Sequence, residues 1–404
     1  YIETTYVVNS GELGNNISEF SFAGQLLDQN GAAVTTGISV INTEIASYGG
    51  SSIESVESVK KYSTQIYSAK NRAVTASDYE AIIPQIYPET ESVSAYGGET
   101  LNPPAYGRVF ISVKPHNGTH LSSSIKRSIA NDLRRYSVAG IIPEIVDLKY
   151  LWLESDSNVY YNTNLSSGPE NVKSTVLSNI LTYSNSSQLN KFGGRFKYSK
   201  FQKVIDDSSE AVTSNITTVA MRRDLEAALG QFGEYEICFG NRFYIRNPGK
   251  PPVMDNEVIG YNIRSSGFKV SGLSSTLYLG DTPNSDLKTG SLLFFKLNSP
   301  TEVVVVKKSV GTIDYIKGEV KLNPVKFIQT EMNRKSSLLE ISATPYSNDV
   351  IGLQDLYLQL DMNNVVVSMV DDRISSGNDN SGSNYLVKSS YVNNLIRGNP
   401  IYSS

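Results

Sequence analysis

NRAVTASDYEAIIPQIY, residues 71–87, carries the most fully specified local signal in the chain. Thr75 stands where an N-cap belongs and Asp78 follows three residues later. At that spacing each side chain takes up a backbone N–H of the first helical turn that has no intrahelical acceptor. Val74 and Tyr79 occupy the hydrophobic-staple positions around the cap. Tyr79, Ile82, Ile83 and Ile86 then form one apolar stripe at helical spacing. Pro84 is expected to end or bend the helix near Ile83, because its nitrogen carries no hydrogen and its ring crowds the preceding turn. Nothing in the stretch is spaced like a nucleophile with its base or like a set of metal ligands, so it reads as a capped packing helix.

Working outward, Ser92–Tyr96 and Arg108–Val113 read as strands joined by the turn-rich GGETLNPPAYG. A second helix is expected over Ser122–Tyr136, with Ile125, Ile129, Leu133 and Tyr136 on one stripe and Lys126, Arg127, Arg134 and Arg135 mostly away from it. Gly140 and Pro143 close it. A strand over Ile145–Leu153 follows, where Val146, Leu148, Tyr150 and Trp152 alternate with Asp147 and Lys149. One further strand before Asn71 would complete a ferredoxin-like β-α-β-β-α-β unit over residues 61–152. Residues 1–60 read as the β-rich remnant of a preceding domain, with short strands around Tyr6–Val8, Phe20 and Phe22, and Ile38–Ile41. The chain opens at Tyr1 inside that β-rich region, and an N-terminal part is expected to precede it.

Residues 153–246 read as a second α/β unit. Val159–Tyr161 is a strand, Pro169 opens a helix, and Val172, Val176, Ile180 and Tyr183 repeat the stripe of the earlier helix, an echo of duplication. A short helix after Ser199, a strand over Ile216–Met221 and a hairpin YEICFGNRFYI turning at Gly240-Asn241 complete it. Residues 247–372 form a β-rich domain with strands at Phe268–Val270, Leu277–Leu279, Leu292–Leu297, Val303–Lys308, Leu338–Ser342 and Val365–Val370, and a hairpin turn at Lys317-Gly318. Residues 373–404 combine the polar SSGNDNSGSN with YLVKSSYVNNLIRGNPIY, a tether ending in a docking peptide. The fold class is α+β and multi-domain, since 404 residues exceed what a single core of roughly 150 residues accommodates.

Charge narrows the function classes. With 36 basic and 40 acidic residues the formal charge is −4, which gives no electrostatic footprint for nucleic acid or an anionic membrane. Cys238 is the only cysteine, which excludes an intrachain disulfide and a cysteine-built zinc site. No apolar run reaches the roughly 18–20 residues of a membrane helix, so no membrane insertion is expected.

A search for chemistry finds no catalytic, cofactor or metal residues. His116 and His120, the only histidines, lie in the turn-rich HNGTH without a carboxylate close in sequence, and no G-x-S-x-G elbow exists. Asp281 and Asp286 in GDTPNSDLKTG lack the alternating ligands of a calcium loop and read as a solvated turn. Gly97-Gly98 and Gly193-Gly194 read as turn glycines, because no phosphate-binding continuation follows them. Arg134-Arg135 and Arg222-Arg223 read chiefly as solvated faces, with protein contacts through carboxylates as the second reading. The excess is tyrosine, 25 copies beside 13 Phe and one Trp. Buried copies are ordinary in β-rich domains, while partly exposed ones suit protein–protein contact.

NRAVTASDYEAI, the GG turn, YGRVFISVKP, the helix of residues 122–136 and PEIVDLKYLWLE together resemble the baseplate J-like family of contractile tails. Over nearly all of residues 60–372 the chain is similar to the larger C-terminal part of T4-type contractile phage baseplate wedge proteins. GTIDYIKGEVKL and SATPYSNDVIGLQDLYLQLD resemble their terminal segments. The most specific piece is the string carrying Asn71, Arg72, Thr75, Asp78 and Tyr79, and the tail after Asp372 departs from the pattern. The resemblance implies a structural protein of the virion tail baseplate, assembled in the host cytoplasm. It would have no catalysis and no cofactor, form a homodimer that joins wedges into a ring, contact other wedge and hub-proximal tail proteins, and rearrange when the sheath contracts. Two other classes stay open: a surface- or glycan-binding adhesin module, which suits the polar β-rich C-terminal domain, and a hydrolase, which would need a clustered acid pair or a histidine site.

Overall fold

The computed structural model describes residues 56–372 except 102, 167, 187–188, 247–259, 300–301 and 332–336, and, before residue 56, residues 3, 5, 8, 10–43, 46–47 and 50. The chain divides into two compact units, one of Tyr1–Lys149 with Gln354–Leu356, the other of Tyr150–Leu353 with Tyr357–Ser404.

The first unit opens with a 3-10 turn at Gly11–Gly14 and two-residue strands β1 (Leu26–Leu27) and β2 (Ala33–Val34), which pair with each other and are exposed. The strands expected around Phe20 and Phe22 and over Ile38–Ile41 do not form. Phe20 and Phe22 are 52% and 48% exposed, so no buried face offsets the entropy of ordering a strand there. Tyr6 and Val7 lie outside the described residues.

Helices α1 (Val56–Ala69) and α2 (Ala76–Ile86) come next, then β3 (Thr90–Gly97), β4 (Arg108–Pro115), α3 (Ser123–Leu133) and β5 (Ile142–Val146). β3 and β4 are antiparallel, whereas β4 and β5 are parallel, from Arg108↔Ile142 to Ser112↔Val146. This corrects the ferredoxin-like expectation. The segment expected to supply the first strand includes α1, and β5 is hydrogen-bonded directly to β4, whereas a split β-α-β unit holds its two parallel strands apart by another strand. From Val56 to Val146 the order is therefore α-α-β-β-α-β around a three-stranded sheet. Its core joins Tyr79, Ile82 and Ile83 of α2, Val93 and Ala95 of β3, Val109, Ile111 and Val113 of β4, and Ile129 and Leu133 of α3. α2 continues two residues past Pro84. The proline falls in the last turn, where it removes only one hydrogen bond, and Tyr87 N–H still reaches Ile83 O at 2.8 Å.

The single strand expected over 145–153 is in fact two. β5 ends at Val146 and β6 (Lys149–Tyr161) begins after Asp147-Leu148, in a different sheet. Apolar alternation runs unbroken across the junction, so its period alone does not reveal the change of partner.

The second unit continues with α4 (Pro169–Ser184), β7 (Lys191–Phe192), β8 (Arg195–Phe196), α5 (Tyr198–Asp206), β9 (Val212–Glu226) and β10 (Phe232–Cys238). β11 (Arg264–Ser265), β12 (Phe268–Val270), β13 (Tyr278–Pro283), β14 (Thr289–Ser299) and β15 (Glu302–Asp314) follow. The last are β16 (Glu319–Thr330), β17 (Leu338–Ala343), β18 (Val350–Ile351) and β19 (Leu356–Asp371). One sheet has the order β11-β17-β9-β6-β19-β7 and another β10-β16-β15-β14-β13, with β12 also on β16 and a small β18-β8 pair beside them. β6 and β9 thus lie between β17 and β19. The border expected at residue 247 between an α/β unit and a β-rich domain runs through one hydrogen-bonded sheet, and residues 150–353 cluster as one unit.

The echo of duplication is also corrected, since β6 and β9 are antiparallel and joined through two helices, unlike the parallel β4–β5 pair. Val172, Val176 and Ile180 of α4 and Phe201 and Ile205 of α5 are buried, and Phe201 sits 5.3 Å from Phe196 and 5.9 Å from Tyr183, ring to ring. The hairpin expected at Gly240-Asn241 is replaced by long-range pairing: β10 runs along β16, and Phe243 bridges to Pro345. The Lys317-Gly318 turn does join β15 to β16. Gly318 has φ 72°, and a Cβ there would fall 2.0 Å from Asn241 O, so both backbone and space require glycine. Residues 373–404, read as tether and docking peptide, lie outside the described residues.

Candidate functional site

The motif residues 71–79 form a joint between three helices. Lys70 and Asn71 close α1 in the left-handed region, at φ 47° and 58°. Arg72 is exposed, and its N–H reaches Ala69 O at 2.9 Å. Ala73 is fully buried and donates to Tyr136 O at 2.8 Å, beyond the end of α3. Thr75 caps α2: Asp78 N–H donates to Thr75 Oγ1 at 3.3 Å, while Asp78 Oδ2 accepts from Thr75 N–H at 2.8 Å and Val74 N–H at 3.1 Å. Partial burial pushes the Asp78 carboxyl up, but the backbone N–H groups of Thr75 and Val74 and the Thr75 hydroxyl outweigh it and hold it below the ordinary carboxylate range. Tyr79 is fully buried, its hydroxyl 3.4 Å from Ser137 Oγ, which in turn donates to Leu133 O.

Thr75→Ala should therefore cost about 1 kcal/mol in urea denaturation. Because the Asp78 pKa is depressed in the fold, its contribution is present above the unfolded value of 3.8 and lost as pH falls through the folded value, so the cap should weaken only in acid. A loss well above 2 kcal/mol would contradict a purely local role.

The largest electrostatic feature lies elsewhere, on one face of the β17-β9-β6-β19 strands. Arg222 of β9 is only 4% exposed and is ringed by four carboxylates. Its Nη1 meets Glu154 of β6 at 2.5 Å and Asp361 of β19 at 2.9 Å, and its Nε meets Asp224 of β9 at 3.0 Å and Glu340 of β17 at 3.8 Å. Trp152 donates from Nε1 to Asp224 at 3.0 Å and places its ring 5.5 Å from the guanidinium, while Asn364 donates to both Glu154 and Asp361. Burial pulls the Arg222 pKa down, but the charges of Asp224, Glu340 and Glu154 more than reverse it, and it lies above the ordinary arginine value. Burial raises the Glu340 carboxyl; Arg222 lowers it, while Asp224, Glu154 and Asp361 raise it again, so it stays above the ordinary glutamate value.

This corrects the reading of Arg222-Arg223 as a solvated face. The residues that make the cluster are spread over more than 200 positions of chain, from Glu154 to Asp361. The available signal was the spacing of two within each strand, Trp152 with Glu154 and Arg222 with Asp224, which puts each pair on one face. The cluster can tie four strands together, but it offers no nucleophile and no vacant carboxylate set, and among the described residues no group of His, Cys, Asp and Glu is arranged to hold a metal.

Asp281 is a second correction. Expected in a solvated turn, it is instead fully buried in β13, accepting from the Tyr315 hydroxyl at 2.5 Å and from Ile263 N–H at 2.9 Å. Burial raises its pKa despite these donors. Asp286 does sit in the turn, held below the ordinary range by the N–H groups of Lys288 and Thr289 and the Thr289 hydroxyl. His116 and His120 are exposed, with His120 Nδ1 3.0 Å from Thr119 Oγ1. The tyrosines divide: Tyr79, Tyr315 and Tyr357 are fully buried, while Tyr67, Tyr106, Tyr244 and Tyr346 are more than half exposed. A concavity of about 590 Å³ between α4 and α5 is lined by Asn179, Thr182, Tyr183, Ser186, Lys203 and Asp207; Thr182 Oγ1 donates to Ser178 O, and Ser186 Oγ has no hydrogen-bond partner among the described residues.

Comparison with known proteins follows these boundaries. Residues 75–146 match the family model described as baseplate structural protein gp6, C-terminal domain I, and residues 149–224 match the one described as baseplate structural protein gp6, C-terminal domain III. The first match begins at the N-cap Thr75 and ends with the last residue of β5; the second begins with the first residue of β6 and ends inside β9. The baseplate wedge protein gp6 of Enterobacteria phage T4 is 25% identical over 232 residues, which is 55% of this chain and 33% of that protein. The chain thus spans about a third of that relative's length. Among solved structures, the 6-fold symmetrised cryo-EM structure of the anti-feeding prophage (AFP) baseplate aligns at 16% identity over 50% of this chain and 46% of that one. Its TM-score of 0.33 is too low to carry an argument. Residues 75–224 are thus similar to C-terminal domains I and III of baseplate structural protein gp6, and 55% of the chain aligns with the T4 baseplate wedge protein.

Proposed function

We propose that the chain is a structural component of a contractile-tail phage baseplate wedge, without catalytic activity, which self-associates as a homodimer to join wedges into a ring around the hub and rearranges on sheath contraction. Its partners in this reading are a second copy and other wedge and hub-proximal tail proteins. The observation that carries the reading is the pair of consecutive matches to baseplate structural domains over residues 75–146 and 149–224. The chemistry of the chain is in keeping with it. Its strongest ion-pair cluster ties four strands of one sheet together, and the residues of the 71–79 motif cap and join helices, so Asn71, Arg72, Thr75, Asp78 and Tyr79 act as structural landmarks. Multi-angle light scattering of the purified chain at micromolar concentration should give the mass of a dimer. A strict monomer across that range would overturn self-association.

A further inference from the structure

The second unit carries a cationic concavity that the baseplate reading does not use. It holds about 260 Å³ and is lined by Tyr244, Arg246, Tyr261, Asn262, Arg264 and Thr344. Its walls are fixed by hydrogen bonds: Asn262 Nδ2 donates to Tyr244 O at 2.8 Å, Thr344 N–H donates to Asn262 Oδ1 at 2.9 Å, and Tyr244 N–H donates to Thr344 O at 3.0 Å. Buried Tyr261 lies with its ring 5.6 Å from the Arg246 guanidinium. Arg264, on β11, is half-buried; its Nε is sealed from solvent without a hydrogen-bond acceptor, and its guanidinium has no ion-pair partner among the described residues. Asp281 is the nearby acid that Arg246 and Tyr261 both feel, and it is committed to Tyr315 and Ile263.

A half-buried guanidinium without an anion is costly, and arginine beside aromatic rings is the composition of protein-contact anchors. The volume lies below the roughly 300–1,000 Å³ of small-molecule sites, and it suits a single side chain. We propose that this concavity is a docking pocket for one carboxylate, an Asp or Glu side chain presented by a peptide segment of a protein partner. The carboxylate pairs with the Arg264 fork, and the rings of Tyr244 and Tyr261 cover the methylene groups behind it. The pocket stands apart from self-association, since a strictly monomeric chain would carry it equally.

The test uses fluorescein-labelled acetyl-Gly-Ser-Glu-Tyr-Ser-Gly-amide and its Glu→Gln counterpart, titrated by anisotropy into the full chain at low salt. The Glu peptide should bind roughly tenfold more tightly than the Gln peptide. Arg264→Gln should erase that difference and Arg264→Lys should reduce it, with the circular dichroism of both variants unchanged. Equal binding of the two peptides, or discrimination that survives in a folded Arg264→Gln variant, would overturn the proposal. Inorganic phosphate displacing the peptide at concentrations below the peptide's own Kd would make this a free-anion site and equally overturn it. So would a tenfold gain in peptide affinity in the double variant Asp255→Asn, Glu257→Gln, which would assign the pocket to the chain's own carboxylates.

Discussion

Arg222→Met should destabilise the second unit by about 3–5 kcal/mol at neutral pH, and part of the loss should return on acidification toward about pH 5. The substitution keeps most of the side-chain volume but leaves Glu154, Asp224, Glu340 and Asp361 facing one another without their shared cation. The direction with pH follows from Glu340. Its folded pKa is already raised above the unfolded value of 4.5, first by burial and then by neighbouring carboxylates, so its contribution is complete below that value and is lost as pH rises through the folded one. Removing Arg222 takes away the guanidinium charge that lowers it, and the window widens upward. The protein has a single tryptophan, and Trp152 donates to Asp224 within the cluster, so its fluorescence reads this sheet specifically during urea unfolding. A loss under 1 kcal/mol, or one that does not change between pH 7.5 and pH 5, would show that solvent already screens the cluster.

The cluster also marks where sequence reading stops. Local signals were sufficient at several places where the partners are close along the chain: the Thr75–Asp78 box, the Ile125–Ile129–Leu133 stripe, and the β15–β16 turn at Lys317-Gly318 are all within about a dozen residues, and each is present in the fold, whereas α1, equally local, stands where a strand was expected. Pairing between distant strands was not readable. Alternation over Ile145–Leu153 shows which side chains face a core, but it is silent on the fact that Val146 pairs with Ser112 while Trp152 pairs with Arg222. The same blindness made Arg222 and Asp281 look like surface charges, because a charged residue on the buried face of a strand is recognisable only once its acceptors on other strands are known. The pocket at Arg264 has the same origin: its lining comes from Tyr244 and Arg246, from Gly260 to Arg264, and from Thr344, eighty positions later.

Tyr79→Ala should cost about 3–5 kcal/mol, the usual range for deleting a buried aromatic side chain. Tyr79 is fully buried among Ile82, Ile83, Ile111, Ile129 and Leu133, so truncation opens a cavity where α2, α3 and the β3-β4-β5 sheet meet. Tyr79→Phe removes only the hydroxyl, whose contact with Ser137 Oγ is long at 3.4 Å, and should cost less than about 1 kcal/mol. The pair separates packing from hydrogen bonding, and both can be read from hydrogen exchange of the amides in 76–146, since Trp152 belongs to the other unit. The contrast also bears on what the 71–79 motif is for. A residue without exposed surface cannot meet a partner directly, so Tyr79→Phe should leave the mass seen by light scattering unchanged, and Tyr79→Ala should alter it only in proportion to the fraction unfolded. If Tyr79→Phe instead abolished association while leaving exchange protection intact, the motif would have to act through the Ser137 contact on an assembly surface, and its assignment as a folding landmark would fail.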